Sequence, residues 1–216
     1  MSLLNMAKVL ILLYVLGLHL ALLMLVVQPS LAQRASCRLM GCSLPVEMSP
    51  EWVEHVAFHT RVDGNLPAEA VVMIGDSHVQ GMAVSAVAPL AVNYGIGGDT
   101  TRGVLERLDV YQSLGEAKAV FVAIGFNDLF LRENSEIAAN LERIVKQLRR
   151  KTLAPIMVSL VHPFDSNTKN VPFDNARIDE LNSQLFSLVD TVPSAWLVDV
   201  HEQLSGDDGL LKPKFH

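Results

Sequence analysis

Three short segments of this 216-residue chain hold the side chains and turns that acyl transfer requires: Gly75-Asp76-Ser77-His78, Gly95-Ile96-Gly97-Gly98-Asp99-Thr100 and Gly125-Phe126-Asn127-Asp128. Each follows an apolar run, the first being Ala70-Val71-Val72-Met73-Ile74. A β-branched run ending in Gly-Asp reads as a buried strand breaking into a turn. Ser77 therefore stands at the C-terminal end of a strand, where open α/β sheets bind their ligands. A serine hydroxyl becomes a nucleophile only when a base takes its proton, and the resulting oxyanion needs preorganised donors. The Ser77 N–H, the Gly98 N–H and the Asn127 amide supply three such donors. Glycine at 98 also lets the main chain approach a substrate closely. Asp76, Asp99 and Asp128 read as turn braces, since short acidic side chains bond to nearby backbone N–H groups.

Alternating strands and helices must position these segments. Strands are expected at Val71–Ile74, Leu90–Tyr94, Ala119–Ile124, Ile156–Val161 and Trp196–Val200. Helical spacing runs through Thr101–Tyr111, Ser135–Lys151 and Asn175–Val189. In the second, Ile137, Leu141, Ile144, Val145 and Leu148 form one apolar stripe opposite Glu142, Lys146 and Arg149. Continuous apolar strands alternating with amphipathic helices predict an α/β fold whose parallel sheet, of about five strands, is covered on both faces. Residues 67–216 form this domain. Residues 33–66 carry Pro45, Pro50 and Gly64 and read as a spacer with one short helix around Glu51–His59.

Composition narrows the function classes. A net charge of −6 with no basic stripe argues against nucleic acid. The seven histidines are scattered without metal-ligand spacing, so neither a metal nor another cofactor is expected. Val9 to Val27 carries no formal charge and follows Lys8; residues 1–32 read as a membrane anchor or as a signal peptide cleaved after Ser30-Leu31-Ala32. Either outcome sends the domain out of the cytoplasm, to the periplasm or the exterior. Cys37 and Cys42 lie just beyond and could close a small local disulfide.

Taken together, the motifs resemble the SGNH (GDSL-type) hydrolase family, whose name lists its Ser, Gly, Asn and His. Gly75-Asp76-Ser77 matches the first block, with His78 where leucine is commonest; the stretch Asn93 to Thr101 matches the second and Gly125-Phe126-Asn127-Asp128 the third. The resemblance covers roughly residues 70–216. It implies a three-layer, flavodoxin-like fold and a serine ester hydrolase, of esterase or lipase type, with Ser77, Gly98 and Asn127 in the site. Small-molecule esters or acylated glycans and lipids are the implied substrates. An acyltransferase of the same fold and a non-catalytic binding domain are the alternatives. The family's last block, Asp-x-x-His, supplies the base and is missing: Pro213 stands three residues before His216, and neither Asp207 nor Asp208 has a histidine three residues later. The chain is therefore expected to stop short of its own Asp and His and to be nearly inactive as given. His162, at the end of the fourth strand, is the other histidine expected at the catalytic edge. His78 is expected to point away from the site.

Overall fold

The structure, a computed structural model, describes residues 5, 6, 8, 12–19, 49–165, 171–190, 192–206 and 208–212. Two compact units separate at Ser49/Pro50. In the first, residues 12–19 are helical; the rest of the apolar stretch 9–27, together with Cys37 and Cys42, lies outside the described residues. Among the described residues no helix is long and apolar enough to cross a membrane.

The second unit, Pro50–His216, is built around five parallel strands: β1 (Val71–Gly75), β2 (Ala91–Gly95), β3 (Ala119–Ala123), β4 (Ile156–Ser159) and β5 (Ala195–Val198). Their order across the sheet is β2-β1-β3-β4-β5, the flavodoxin-like arrangement expected. β1 is buried from Val72 to Gly75, as a central strand covered on both faces must be. Helix α1 (Pro50–Asp63) precedes the sheet, the connections contain α2 (Ser77–Gln80), α3 (Thr101–Arg107), α4 (Asn134–Lys151) and α5 (Asn175–Asp190), and α6 (His201–Leu204) follows β5. Because β1→β2 runs one way across the sheet and the later crossovers run the other, right-handed connection puts α2 on one face and α3, α4 and α5 on the opposite one. Helix α4 accordingly packs against both α3 and α5.

The α4 stripe is fully buried from Ile137 through Leu148, and Arg149, Arg150 and Lys151 in the last turn complement the helix dipole. Burying such a leucine or isoleucine is worth about 1.5–3 kcal/mol each. Helix α1 is longer than the short helix expected within the spacer. Pro50 suits a first helical turn, and the helix runs to Asp63, which is buried and accepts a 2.9 Å bond from the Tyr94 hydroxyl.

Register decides what the strands present. Gly75 of β1 is aligned with Gly95 of β2 and Ala123 of β3. The three strands therefore end at one height, and the segments holding Ser77, Gly98 and Asn127 leave the sheet side by side, with Ser77 between the other two.

Candidate active site

Ser77 opens helix α2. Asp76 caps that helix in an extended conformation, its carboxylate accepting the His78 N–H at 2.9 Å. Ser77 is exposed. Helix α2 lies directly on the strand ends: a Cβ on Gly95 would overlap the Gln80 backbone, and one on Gly75 would overlap the Ala123 carbonyl and Val79. The serine turn is thus set tight against β2 and β3.

Gly98 sits in the turn after β2 with φ 75°, a left-handed conformation that an L side chain adopts only at about 1–2 kcal/mol. Asp99 follows, fully buried. Its carboxylate accepts from Arg107 Nε at 2.8 Å, Trp52 Nε1 at 3.0 Å and its neighbour Thr100 N–H at 2.9 Å. Burial pushes the Asp99 carboxyl up, and the Arg107 charge and these donors work against that. Asn127, in a short 3-10 helix after β3, donates from Nδ2 to the Asp99 carbonyl at 2.9 Å. An amide has two N–H groups, so this bond orients the side chain and leaves a second donor.

Asp128 ties the third segment to the second. It accepts the Thr101 N–H at 2.8 Å and the Thr101 hydroxyl at 2.7 Å, and Arg132 reaches it at 3.1 Å. Burial nevertheless pushes its carboxyl up to about 6. The turn-brace reading thus has a concrete form for Asp76 and Asp99, which accept neighbouring backbone N–H groups, whereas Asp128 braces the second segment rather than its own turn.

Both histidines of this edge lie together. His78 keeps about half its side chain in solvent, but it turns back: Nδ1 is 2.9 Å from the Asp76 carboxylate, and the ring meets His162 edge-on at 4.3 Å. The hydrogen bond to Asp76 raises the His78 pKa, whereas burial lowers that of His162. Phe126, next to Asn127, stacks on His162 at 5.7 Å and touches Phe130, Phe164 and Phe173. A cavity of about 30 Å³ opens beneath, lined by Asp76, His78, Ile124, Phe126, Ser159 and His162 among others. His78 is exposed, as a surface residue would be, but its ring does not point elsewhere as expected: it turns toward Asp76 and His162. Among the described residues no group of three His, Cys, Asp or Glu side chains could hold a metal ion. His216 and Pro213 lie outside the described residues.

Known proteins share this architecture. A structure from Streptococcus pneumoniae, provisionally described as a platelet activating factor, superposes with a TM-score of 0.72 at 23% identity, covering 77% of this chain and 82% of the other. A GDSL-like lipase from Bacteroides thetaiotaomicron superposes with a TM-score of 0.61 at 15% identity, over 77% and 87%. At those identities the likeness concerns the fold. By sequence, platelet-activating factor acetylhydrolase IB subunit alpha2 of Homo sapiens and of Rattus norvegicus are each 35% identical over 121 residues, which is 51% of this chain and 52% of theirs. The chain spans about half the length of the curated relatives it matches. The model of the GDSL-like lipase/acylhydrolase family matches residues 73–216, which contain all three segments, and the chain belongs to that family.

Proposed function

We propose that the protein is a serine ester hydrolase in which Ser77 attacks the acyl carbon and the backbone N–H groups of Ser77 and Gly98, with the Asn127 amide, receive the oxyanion. The observation that carries this reading is the common register of β2, β1 and β3, which brings those three segments out of the sheet as neighbours. The orientation of the Asn127 amide by the Asp99 carbonyl supports it further. Attack forms the Oγ–C bond, the ester C–O bond breaks and the Oγ proton ends on the departing alcohol, leaving an acyl-enzyme; water then adds to the acyl carbon, releasing the carboxylic acid and returning a proton to Oγ. Acetyl and other small acyl esters are the favoured substrates, by likeness to relatives named as acetylhydrolases over half their length. The uncharged stretch 9–27 favours action outside the cytoplasm, free or tethered.

Hydrolysis of p-nitrophenyl acetate by the full-length protein and by its Ser77→Ala variant, side by side, tests the reading. Turnover should disappear in the variant. Equal rates would remove Ser77 from the mechanism.

A further inference from the structure

A buried cluster outside the three segments ties them to one another, and part of it comes from beyond the family-matched stretch. Arg107 is fully buried, and it donates from Nε to the Asp99 carboxylate and from Nη2 to the Gly75 carbonyl at 3.1 Å. Its remaining Nη1 donates to the Tyr111 hydroxyl at 2.7 Å. One rigid guanidinium fork therefore touches the end of β1, two residues before Ser77, and the residue that follows Gly98. A lysine, a point charge on a flexible stem, could not make these contacts together. Trp52 of α1 grips the other oxygen of Asp99 through its indole N–H. Residue 103 has room only for hydrogen: a Cβ there would overlap the Asp99 carboxylate and press on Trp52 Nε1 at 3.2 Å. The Asp99 carbonyl in turn holds the Asn127 amide.

We propose that Trp52 and Arg107 are positioning residues for acyl transfer: through Asp99 they preset the Gly98 N–H and the Asn127 amide against the Ser77 turn. This deepens the serine-hydrolase reading and rests on it. It also makes α1, which precedes the matched residues 73–216, a working part of the site. The physical basis is preorganisation. Oxyanion donors act only where the anion will be, and a misplacement near 1 Å lowers rates about 10²-fold. Trp52 and Arg107 are both buried, so neither needs to touch substrate. Their loss should lower kcat while leaving KM nearly unchanged.

Trp52→Phe, in the full chain, keeps an aromatic ring and removes the N–H. Replacing Trp52 with 3-benzothienylalanine, in which sulfur takes the place of the indole N–H, repeats the deletion in an isosteric ring should phenylalanine fail to fold. Rates with p-nitrophenyl acetate are read beside Ser77→Ala and beside thermal unfolding. With Ser77→Ala inactive, a fall in kcat of about tenfold with KM within twofold, in a variant fully folded at the assay temperature, supports the proposal. An unchanged kcat overturns it. Should Ser77→Ala match the parent, the hydrolase reading fails instead. The clamp then stands or falls on the Gly98 and Asn127 amide resonances, which must move in the Trp52 variants; their coincidence with the parent's overturns it as well.

Discussion

Replacing Asp128 by asparagine isolates the proton affinity of one buried carboxyl at the heart of the site. Burial raises this group from 3.8 to about 6, against the pull of the Thr101 donors and Arg132. At 1.36 kcal/mol per pKa unit, the folded chain holds the proton more tightly than the unfolded chain by about 3 kcal/mol. The folded pKa lies above the unfolded one, so between pH 4 and 6 the folded state binds more protons. Stability from this group is thus complete below the unfolded pKa and is lost as pH rises through about 6. Most of it, about 2 kcal/mol, disappears between pH 4 and pH 7. In Asp128→Asn an amide faces donors that now meet a carboxylate, so the variant is less stable at every pH; the slope carries the test, and the offset does not. His59, held down to about 3 by burial and Arg107, works in the opposite sense, losing stability as pH falls below 6.5, and it cancels in the subtraction. Urea unfolding of both proteins at half-unit steps from pH 4 to 7 gives the difference curve. The parent should lose about 2–3 kcal/mol relative to Asp128→Asn across that range. A difference flat within about 0.5 kcal/mol would refute the reasoning and show that Asp128 is ionised throughout.

Three further outcomes are expected. Asn127→Ala should lower kcat on p-nitrophenyl acetate about 10²–10³-fold, the usual loss for one oxyanion donor; a change in KM alone would take its amide out of the transition state. Gly98→Ala should cost about 1–2 kcal/mol in unfolding free energy, because its φ of 75° is left-handed, and unaltered stability would contradict that turn geometry. In proton NMR titrations His78 should ionise above 6.5 and His162 below it, and Asp76→Asn should draw His78 downward by removing its main cause. Identical midpoints for the two rings would rule out the Asp76 contact.

The strands were legible because a central parallel strand is apolar on both faces, and periodicity needs no partner to be seen. Their ends were less so. The expected fourth strand runs to Val161, yet strand assignment stops at Ser159: the Leu160 N–H still donates to the Val198 carbonyl, but the backbone of Val161 is bonded by the Asn182 side chain instead of a neighbouring strand. The fifth begins at Ala195, one residue early, and its Trp196 is about half exposed because β5 is an edge. Expected helix 101–111 is α-helical only to Arg107 and continues as a 3-10 turn through Val110. Ser77, Gly98 and Asn127 were visible since each terminates an apolar run. Trp52 was not: its bond to Asp99 spans 47 positions, and no local pattern encodes a partner at that range. The direction of His78 is hidden for the opposite reason, as its contact with Asp76 depends on a rotamer that spacing alone does not set.

The strand order also has a consequence for birth of the chain on the ribosome. β1 has two neighbours, β2 and β3, and roughly two dozen residues separate the end of β2 from the start of β3. At about 5–20 residues per second, the β1–β2 pair waits about one to five seconds with one long side of β1 unpaired. That side carries the unpaired N–H and C=O groups of Val72 and Ile74, whose side chains are apolar and uncharged, the kind of bare edge that recruits other nascent chains. Slowing the emergence of residues 96–118 from the ribosome should therefore lower the soluble yield, whereas the same pause once β3 has emerged and can cover that edge should be harmless.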